Sequence, residues 1–282
     1  CAFNEGGDVG ADYNVCIGDG AMGTGTLAAA QYNVAVGYDA LKDVTGADRS
    51  VAVGAGAGAN ITDGVSNIAI GTNALFTSTT ADECVAVGDA ALYALNHATD
   101  ADGSVAVGFE ALKALTSGVG NVAIGYQALL GMTTGSANLA IGYGAMDGTA
   151  NAPSSDNNVM IGNNSGGGTW ASGESYNNVA VGHETMQGAL DGSTNNTALG
   201  HYALQELTTG DSNTAVGSLA GDDITTGSNN TAIGKHSLQA VTTVSGLTGV
   251  GKSALYSNTS GTGNTSVGWE AGYYNATGTN NT

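Results

Sequence analysis

The sequence has few of the residues on which most binding functions depend. Its 282 residues include one Pro, three Cys and only five Lys and Arg together, and charged residues make up 10% of the chain. The net charge of −19 argues against nucleic-acid binding, because phosphate contacts need basic patches. It equally disfavours binding to an anionic membrane surface. No run of 18 apolar residues occurs, so we expect no membrane insertion.

Glycine and small apolar residues, in contrast, are abundant. There are 47 Gly, and the hydrophobic fraction of 41% is too high for a disordered chain. The glycines lack the every-third-residue period of collagen. Many small residues together with few aromatic ones favour a stack of thin layers, which is typical of a repeat array.

A short motif recurs along the whole chain. The segment NVAVGYDAL at 33–41 returns as NIAIGTNAL at 67–75 and as NVAIGYQAL at 121–129. We number each copy from its motif glycine, position 0. Alignment on this position gives fifteen copies with a most common spacing of 17 residues: Gly18, Gly37, Gly54, Gly71, Gly88, Gly108, Gly125, Gly142, Gly162, Gly182, Gly200, Gly217, Gly234, Gly251 and Gly268. The period predicts a repeat array rather than a two-domain enzyme.

Four positions of the repeat are strongly constrained. Position −1 is always a large aliphatic residue, which we predict to point into the core from a short strand. Position −2 is Ala in eleven copies and never charged, so we predict that the opposite strand face is also covered, by another sheet or another chain. Position +3 is small in every copy, and position +4 is Leu or Met in eleven copies and Gly in four.

These constraints predict an all-β fold, a parallel β-solenoid (β-roll) of about fifteen 17-residue repeats. A repeat this short cannot hold a helix–turn–helix unit of about 34 residues, but it suits two short strands and two turns. A single helical turn is the alternative for the Ala-Leu half, as at 110–113. We expect residues 1–282 to be one array cut in mid-repeat at both ends, since Cys1 begins a partial copy.

Asparagine occupies position −4 in eleven copies. A row of amides at one position could bind a ligand. Stacked amides also hydrogen-bond to one another in assemblies of parallel strands. We predict the second role, an Asn ladder that holds successive coils together.

The motif Asn-[Val/Thr]-Ala-[Val/Ile]-Gly-x-x-Ala-Leu, followed by Thr-Thr-Gly, resembles the repeats of bacteriophage tail-fibre proteins. It is also similar to the YadA-like head repeats of trimeric autotransporter adhesins, whose period is somewhat shorter. The resemblance covers essentially the whole chain. It implies a parallel β-roll that assembles as a homotrimer and is exposed outside the cell or on the virion.

Catalytic and metal-binding signatures are weak. His183 and His201 follow motif glycines of neighbouring repeats, so their rings could lie about 5 Å apart. With Glu184 nearby they could bind a metal, but we interpret them as surface residues. Asp147 and Asp156 are the candidate carboxylate pair for glycan cleavage. We expect no enzyme, no cofactor and no metal.

Two glycine-rich stretches have superficial similarity to phosphate loops. One is 54–58, and the other runs from Gly246 to Gly251-Lys252-Ser253 with Walker-like spacing. The repeat already explains the glycines of both. We therefore interpret both matches as coincidences.

Two neighbouring repeats have longer loops, at 147–157 and 166–177. These loops contain Pro153, Trp170 and Tyr176. Because solenoid insertions often form a binding face, we predict a surface contact patch from these three residues. A tolerated surface excursion is the alternative.

Position +1 carries a discontinuous aromatic row, which either binds a ligand or stacks between coils. Its members are Tyr38, Phe109, Tyr126, Tyr143 and Trp269.

Together with the resemblance, these features of the sequence predict a structural and adhesive segment of an extracellular fibre, most simply a phage tail or receptor-binding fibre on the virion surface. The alternatives are the head of a bacterial surface adhesin and a subunit of another extracellular filament. Expected partners are further copies of the chain and a host-surface saccharide or protein receptor. An ice-binding solenoid would need a Thr-x-Thr array, which the repeat lacks.

Overall fold

The computed structural model describes residues 11, 13–23, 27, 29–95 and 102–282, so Cys1 and the predicted partial repeat around it lie outside the described residues. The described residues contain fifteen strands of three residues each and one 3₁₀ turn at Thr149–Asn151. The strands are β1 (Val15–Ile17), β2 (Val34–Val36), β3 (Val51–Val53), β4 (Ile68–Ile70), β5 (Val85–Val87), β6 (Val105–Val107), β7 (Val122–Ile124), β8 (Leu139–Ile141), β9 (Val159–Ile161), β10 (Val179–Val181), β11 (Thr197–Leu199), β12 (Thr214–Val216), β13 (Thr231–Ile233), β14 (Thr248–Val250) and β15 (Thr265–Val267).

The chain forms two compact units, Cys1–Ala137 with β1–β7 and Asn138–Thr282 with β8–β15. Within each unit, every strand pairs in parallel with the strand of the next repeat and in the same register. Ala35 pairs with Ala52 in the first unit, and Ala198 pairs with Ala215 in the second. Each repeat therefore makes one coil of a parallel β-solenoid, and the predicted fold class is confirmed. No helix in the described part of the chain is long and apolar enough to cross a membrane.

Each coil contains one strand, so the prediction of two strands per repeat is wrong. The Ala-Leu half is a series of turns in which positions +2 and +4 have positive φ, for example 53° at Asp39 and 47° at Leu41. A right-handed helix requires negative φ throughout, so the helical alternative is also wrong. The turns are held by hydrogen bonds between coils. The Leu41 N–H donates to the Ala57 carbonyl at 3.0 Å.

The motif glycine is required by both conformation and space. Gly37 has φ 140°, a region that L side chains rarely adopt. A Cβ added at Gly37 would lie 2.4 Å from the carbonyl oxygen of Gly54 in the next coil. Any other residue at position 0 would therefore push neighbouring coils apart.

The prediction of which strand face points inward is wrong. The Ala residues at position −2 face the inside of the coil, and Ala69 is only 1% exposed. The aliphatic residues at positions −3 and −1 face outward, and Ile68 and Ile70 are 37% and 39% exposed. The reason is the narrow interior of a 17-residue coil. A Cβ added at Gly249 in the same column would lie 2.7 Å from Oγ of Ser237 and 3.2 Å from Cγ of Leu238, so the interior has no space there for a side chain larger than a methyl group.

Each coil fills its core with three kinds of small or medium side chain. Ala at positions −2 and +3 and Leu or Met at position +4 are fully buried in most coils. Position +7 completes the core of many coils. Its buried aliphatic residues are Val44, Ile61, Leu95, Leu115, Met132, Leu207, Ile224 and Val241.

The predicted Asn ladder is present. Asn178 is completely buried, and its Oδ1 accepts a hydrogen bond from the backbone N–H of Asn196 at 3.0 Å. Its Nδ2 donates to the carbonyl of Ser193 at 2.8 Å. The same arrangement links Asn213 to Asn230 at 3.0 Å. These amides satisfy backbone groups that are buried inside the coil, so the structural interpretation of position −4 is confirmed.

A second ladder, which no single residue type marks in the sequence, runs along position −6. The backbone N–H of Gln31 donates to Oδ1 of Asp48 at 2.7 Å, and that of Thr194 donates to Oδ1 of Asp211 at 2.7 Å. Ser245 uses its hydroxyl in the same way for Ser228. Part of the large negative charge therefore belongs to carboxylates that hold coils together.

Candidate functional site

The predicted contact patch is not a shared exposed surface. Trp170 is completely buried, with its Nε1 donating to the carbonyl of Gly166 at 2.8 Å. The longer loop at 166–177 thus contributes a core residue instead of a surface anchor. The prediction of a surface contact at Trp170 is wrong, because burial of the large indole fills the interior of a longer coil.

The other two residues of the predicted patch are half-buried. Pro153 lies in the loop 147–157, which also contains the 3₁₀ turn. Tyr176 donates its hydroxyl to the Glu174 carboxylate, a hydrogen bond that raises the pKa of the tyrosine. The backbone of Tyr176 pairs with Thr194 of the next coil. Tyr176 therefore takes part in the hydrogen bonding of its coil.

A sequence signal for the burial of Trp170 exists at positions −2 and +4. This repeat has Gly166 where most others have Leu or Met, and Met160 where most others have Ala. A Cβ added at Gly166 would lie 3.0 Å from Sδ of Met160. A repeat that has lost its usual core residue needs replacement volume, and Trp170 lies in that repeat.

A regular surface feature of each unit is the outward side of the strands, which we call the outer sheet face. It consists of positions −3 and −1, and none of these residues is charged in any of the fifteen strands. In every strand from β1 to β10 both positions are Val, Ile or Leu. Aliphatic side chains in contiguous rows on a surface mark an interaction site in soluble proteins.

The outer sheet face changes character in the last five strands. Position −3 is Thr in each of β11–β15, while position −1 stays aliphatic. The five residues are Thr197, Thr214, Thr231, Thr248 and Thr265. They form one Thr column in register, beside an aliphatic column.

The aromatic residues at position +1 are exposed, and at least two of them stack. Tyr38 is 61% exposed and Trp269 is 71% exposed. The rings of Phe109 and Tyr126 lie 5.2 Å apart with an interplanar angle of 14°. Stacking between neighbouring coils thus accounts for this part of the row.

The histidine pair has the predicted spacing. The rings of His183 and His201 are stacked with centroids 5.3 Å apart, and Nε2 of His183 lies 3.7 Å from Oε1 of Glu184. Glu184 also hydrogen-bonds to the Tyr202 hydroxyl, which raises the pKa of that tyrosine. Among the described residues, no three His, Cys, Asp or Glu side chains are grouped as a metal site.

The backbone of both glycine-rich stretches is used for hydrogen bonds between coils. The N–H groups of Gly54 and Gly56 donate to the carbonyls of Val36 and Tyr38, each at 2.8 Å. In the second stretch, Gly251 donates to Ile233 at 2.7 Å. A phosphate loop needs these N–H groups for its ligand, so the structure supports the interpretation of coincidence.

The remaining candidate groups for chemistry are partly or fully inside the coils. Burial raises the pKa of Asp147, and Asp156 accepts a hydrogen bond from the Asn177 N–H at its backbone carbonyl. Cys84 is completely buried in the Asn column, and burial raises its pKa to about 11. A thiol with this pKa is protonated at neutral pH and is therefore a poor nucleophile.

Comparison with known proteins adds no family assignment. No family model matches the chain, and neither a curated protein nor a solved structure matches it. The likeness to phage-fibre and adhesin repeats therefore stays a prediction from the motif. The outer sheet face is an ordered, uncharged surface from which a function can be argued.

Proposed function

We propose that this chain is a structural and adhesive segment of an extracellular homotrimeric fibre, a phage tail or receptor-binding fibre that contacts the host surface. The observation that carries the proposal is the outer sheet face, with aliphatic residues in both columns from β1 to β10. Exposed side chains such as Ile68 and Ile70 gain free energy when another surface covers them, at about 25 cal/mol per Å² of apolar area.

A further copy of the same chain is the best partner for this face. Its side chains repeat at the spacing of neighbouring strands, about 4.8 Å. Another copy has the same spacing, so its side chains can pack into the gaps along the length of each unit. The face is also free of charge in a chain whose net charge is −19. Copies can meet there without bringing carboxylates together.

The trimeric state and the location outside the cell follow from the resemblance to fibre and adhesin repeats. In this role a host saccharide or protein receptor binds to the turns and loops around the coils. We propose no catalytic role. To test the absence of catalysis, the chain is incubated with host polysaccharide and the released reducing ends are measured. Cleavage by the wild type that disappears in Asp147→Asn would contradict it.

The oligomeric mass tests the main proposal. Light scattering coupled to gel filtration should give three times the chain mass of 27.5 kDa. Ile70→Asp places a charge in the outer sheet face and should shift the protein to monomer. Thr209→Asp adds the same charge at an exposed turn residue and should leave the trimer intact.

A monomeric wild-type chain at micromolar concentration would overturn the proposed assembly. An unchanged mass for Ile70→Asp would show that the outer sheet face is not the interface. Circular dichroism of each variant verifies that the solenoid is still folded. Immunogold labelling of virions with an antibody against the chain then tests the proposed location.

A further inference from the structure

A notch opens in the first unit where one coil has only small residues in its turns. Around Gly54, positions +1, +2, +4 and +5 are all Ala or Gly, namely Ala55, Gly56, Gly58 and Ala59. The coils on either side have larger residues at corresponding positions. The result is a notch of about 190 Å³, bordered by Tyr38, Asp39 and Lys42 of the preceding coil and by Asn73 and Phe76 of the following one.

The walls of the notch are held in place by contacts within the solenoid. A Cβ added at Gly56 would lie 2.5 Å from Oδ1 of Asn73 and 3.3 Å from Cε2 of Phe76, so only glycine leaves these two side chains where they are. The ring of Phe76 stacks on Tyr93 with centroids 5.4 Å apart. Nδ2 of Asn60 donates to the Phe76 carbonyl at 2.8 Å. A site fixed before the ligand arrives loses less entropy on binding.

The lining combines aromatic surface with hydrogen-bonding groups of both kinds. Tyr38 is 61% exposed, so its ring is accessible from solvent. Nζ of Lys42 lies 3.9 Å from Oδ2 of Asp39, which places a donor and an acceptor side by side. Asn73 adds an amide. Paired hydroxyls can use a neighbouring donor and acceptor, and polarised C–H groups of a sugar ring suit the negative face of an aromatic ring.

We propose that this notch binds a single sugar ring of a host-surface polysaccharide. The volume of about 190 Å³ is well below the roughly 300–1,000 Å³ of ordinary ligand pockets, which fits one small ring. A phosphate group is a poorer match, because Lys42 is beside a carboxylate and the N–H groups of Gly54 and Gly56 donate to the preceding coil. A divalent cation would have a single carboxylate, that of Asp39, in the notch lining.

The host surface as the source of the sugar rests on the proposed adhesive function. The binding of a sugar ring itself is argued only from the geometry of the notch. A site of this size binds a monosaccharide weakly, with a dissociation constant on the order of 1 mM. If three chains assemble, three notches act on one polysaccharide, and the linkage multiplies the apparent affinity by about 10² or more.

Titration of the full chain with single sugars tests the notch. The sugars are glucose, galactose, mannose, N-acetylglucosamine and N-acetylgalactosamine. Binding of each is measured by saturation-transfer NMR and by calorimetry. We expect at least one sugar to bind at millimolar concentration. Tyr38→Ala, which removes an aromatic wall, should weaken it at least tenfold. Ala55→Tyr should abolish binding by filling the notch, and position +1 accepts Tyr in other coils.

Two variants in the same column control for changes of surface and fold. Tyr143→Ala removes a ring that is 56% exposed at the corresponding position of another coil, and Ser218→Tyr adds a ring there. Both should bind the sugar within twofold of the wild type. Absence of binding across the panel would overturn the proposal, as would equal losses in the notch variants and the controls. Sugar binding by a monomeric chain would contradict the fibre while supporting the notch, and a trimer without sugar binding would do the reverse.

Discussion

Three coils of the second unit have Gly instead of the usual Leu or Met at position +4, and two of them replace the missing side chain in different ways. The first, 158–177, has Gly166 at this position, and the second, 213–229, has Gly221. In the longer coil, Met160 of the strand occupies the space beside the glycine, with its Sδ 3.0 Å from a Cβ placed there. In the shorter coil, a Cβ placed at Gly221 would lie 2.8 Å from Cδ1 of Ile224.

In both coils another side chain occupies the space beside the glycine at position +4. The shorter coil keeps 17 residues and uses a β-branched residue at position +7. The longer coil adds three residues and also buries Trp170. Protein interiors tolerate few voids, so a lost core side chain is compensated within its own coil. Three predictions test this difference, in order of decreasing effect.

The largest effect is expected for the residue that distinguishes the longer coil. Trp170→Ala should lower the free energy of unfolding by about 3–5 kcal/mol, because it leaves a cavity and removes the hydrogen bond to Gly166. The matched control is Trp269→Ala, since Trp269 is 71% exposed; that change should stay within about 0.5 kcal/mol. Urea unfolding followed by circular dichroism measures both. Equal losses in the two variants would contradict the burial of Trp170.

The shorter coil has a buried carboxyl at position +5, where the longer coil has Gly167. Asp222 is 6% exposed, and burial, with a smaller contribution from Asp223, raises its pKa to about 6. The folded state therefore holds this proton more tightly than the unfolded state between pH 4 and 6. Stability must fall as pH rises through this window, by about 3 kcal/mol for this group.

Asp222→Asn isolates that contribution from the other carboxyls. The stability of the variant relative to the wild type should increase between pH 4 and 7, measured as thermal midpoints or urea midpoints at each pH. Gln239, which donates to Oδ2 of Asp222 at 3.3 Å, can still hydrogen-bond to the new amide oxygen. A pH-independent difference between the two proteins would show that Asp222 titrates normally.

The smallest effect is expected from converting the shorter coil to the common pattern. Gly221→Leu alone should cost about 1–3 kcal/mol, because its side chain meets Ile224. The double variant with Ile224→Val copies the Leu238 and Val241 pair of the following coil. It should recover most of the loss, which a double-mutant cycle of unfolding free energies detects as coupling. Additive effects would mean that the two positions do not share one space.

Repeat length and residue columns were sufficient to predict the solenoid and the Asn ladder. Both depend on identical neighbours stacking in register, which a column of Asn or Gly makes visible without coordinates. The ladder at position −6 is hidden in the sequence because Asp, Ser and Thr are mixed there with Val, Gln and Tyr. The burial of Trp170 is hidden for a different reason. The extra length of its repeat is typical of a surface insertion, whereas the Leu missing at position +4 indicates a coil that needs another core residue.

The sequence by itself determined the period, the parallel register and the positions of the recurring glycines, because each follows from the stacking of identical positions in successive coils. Only the tertiary structure decided which strand face is inside. Alternation along a strand shows that Ile68 and Ile70 share one face and that Ala69 lies on the other. Hydrophobicity suggests that the larger residues are buried. The narrow coil reverses that choice. Beside Leu at position +4, the interior has room only for the methyl group of an Ala at position −2. The larger aliphatic residues at positions −3 and −1 must therefore face outward.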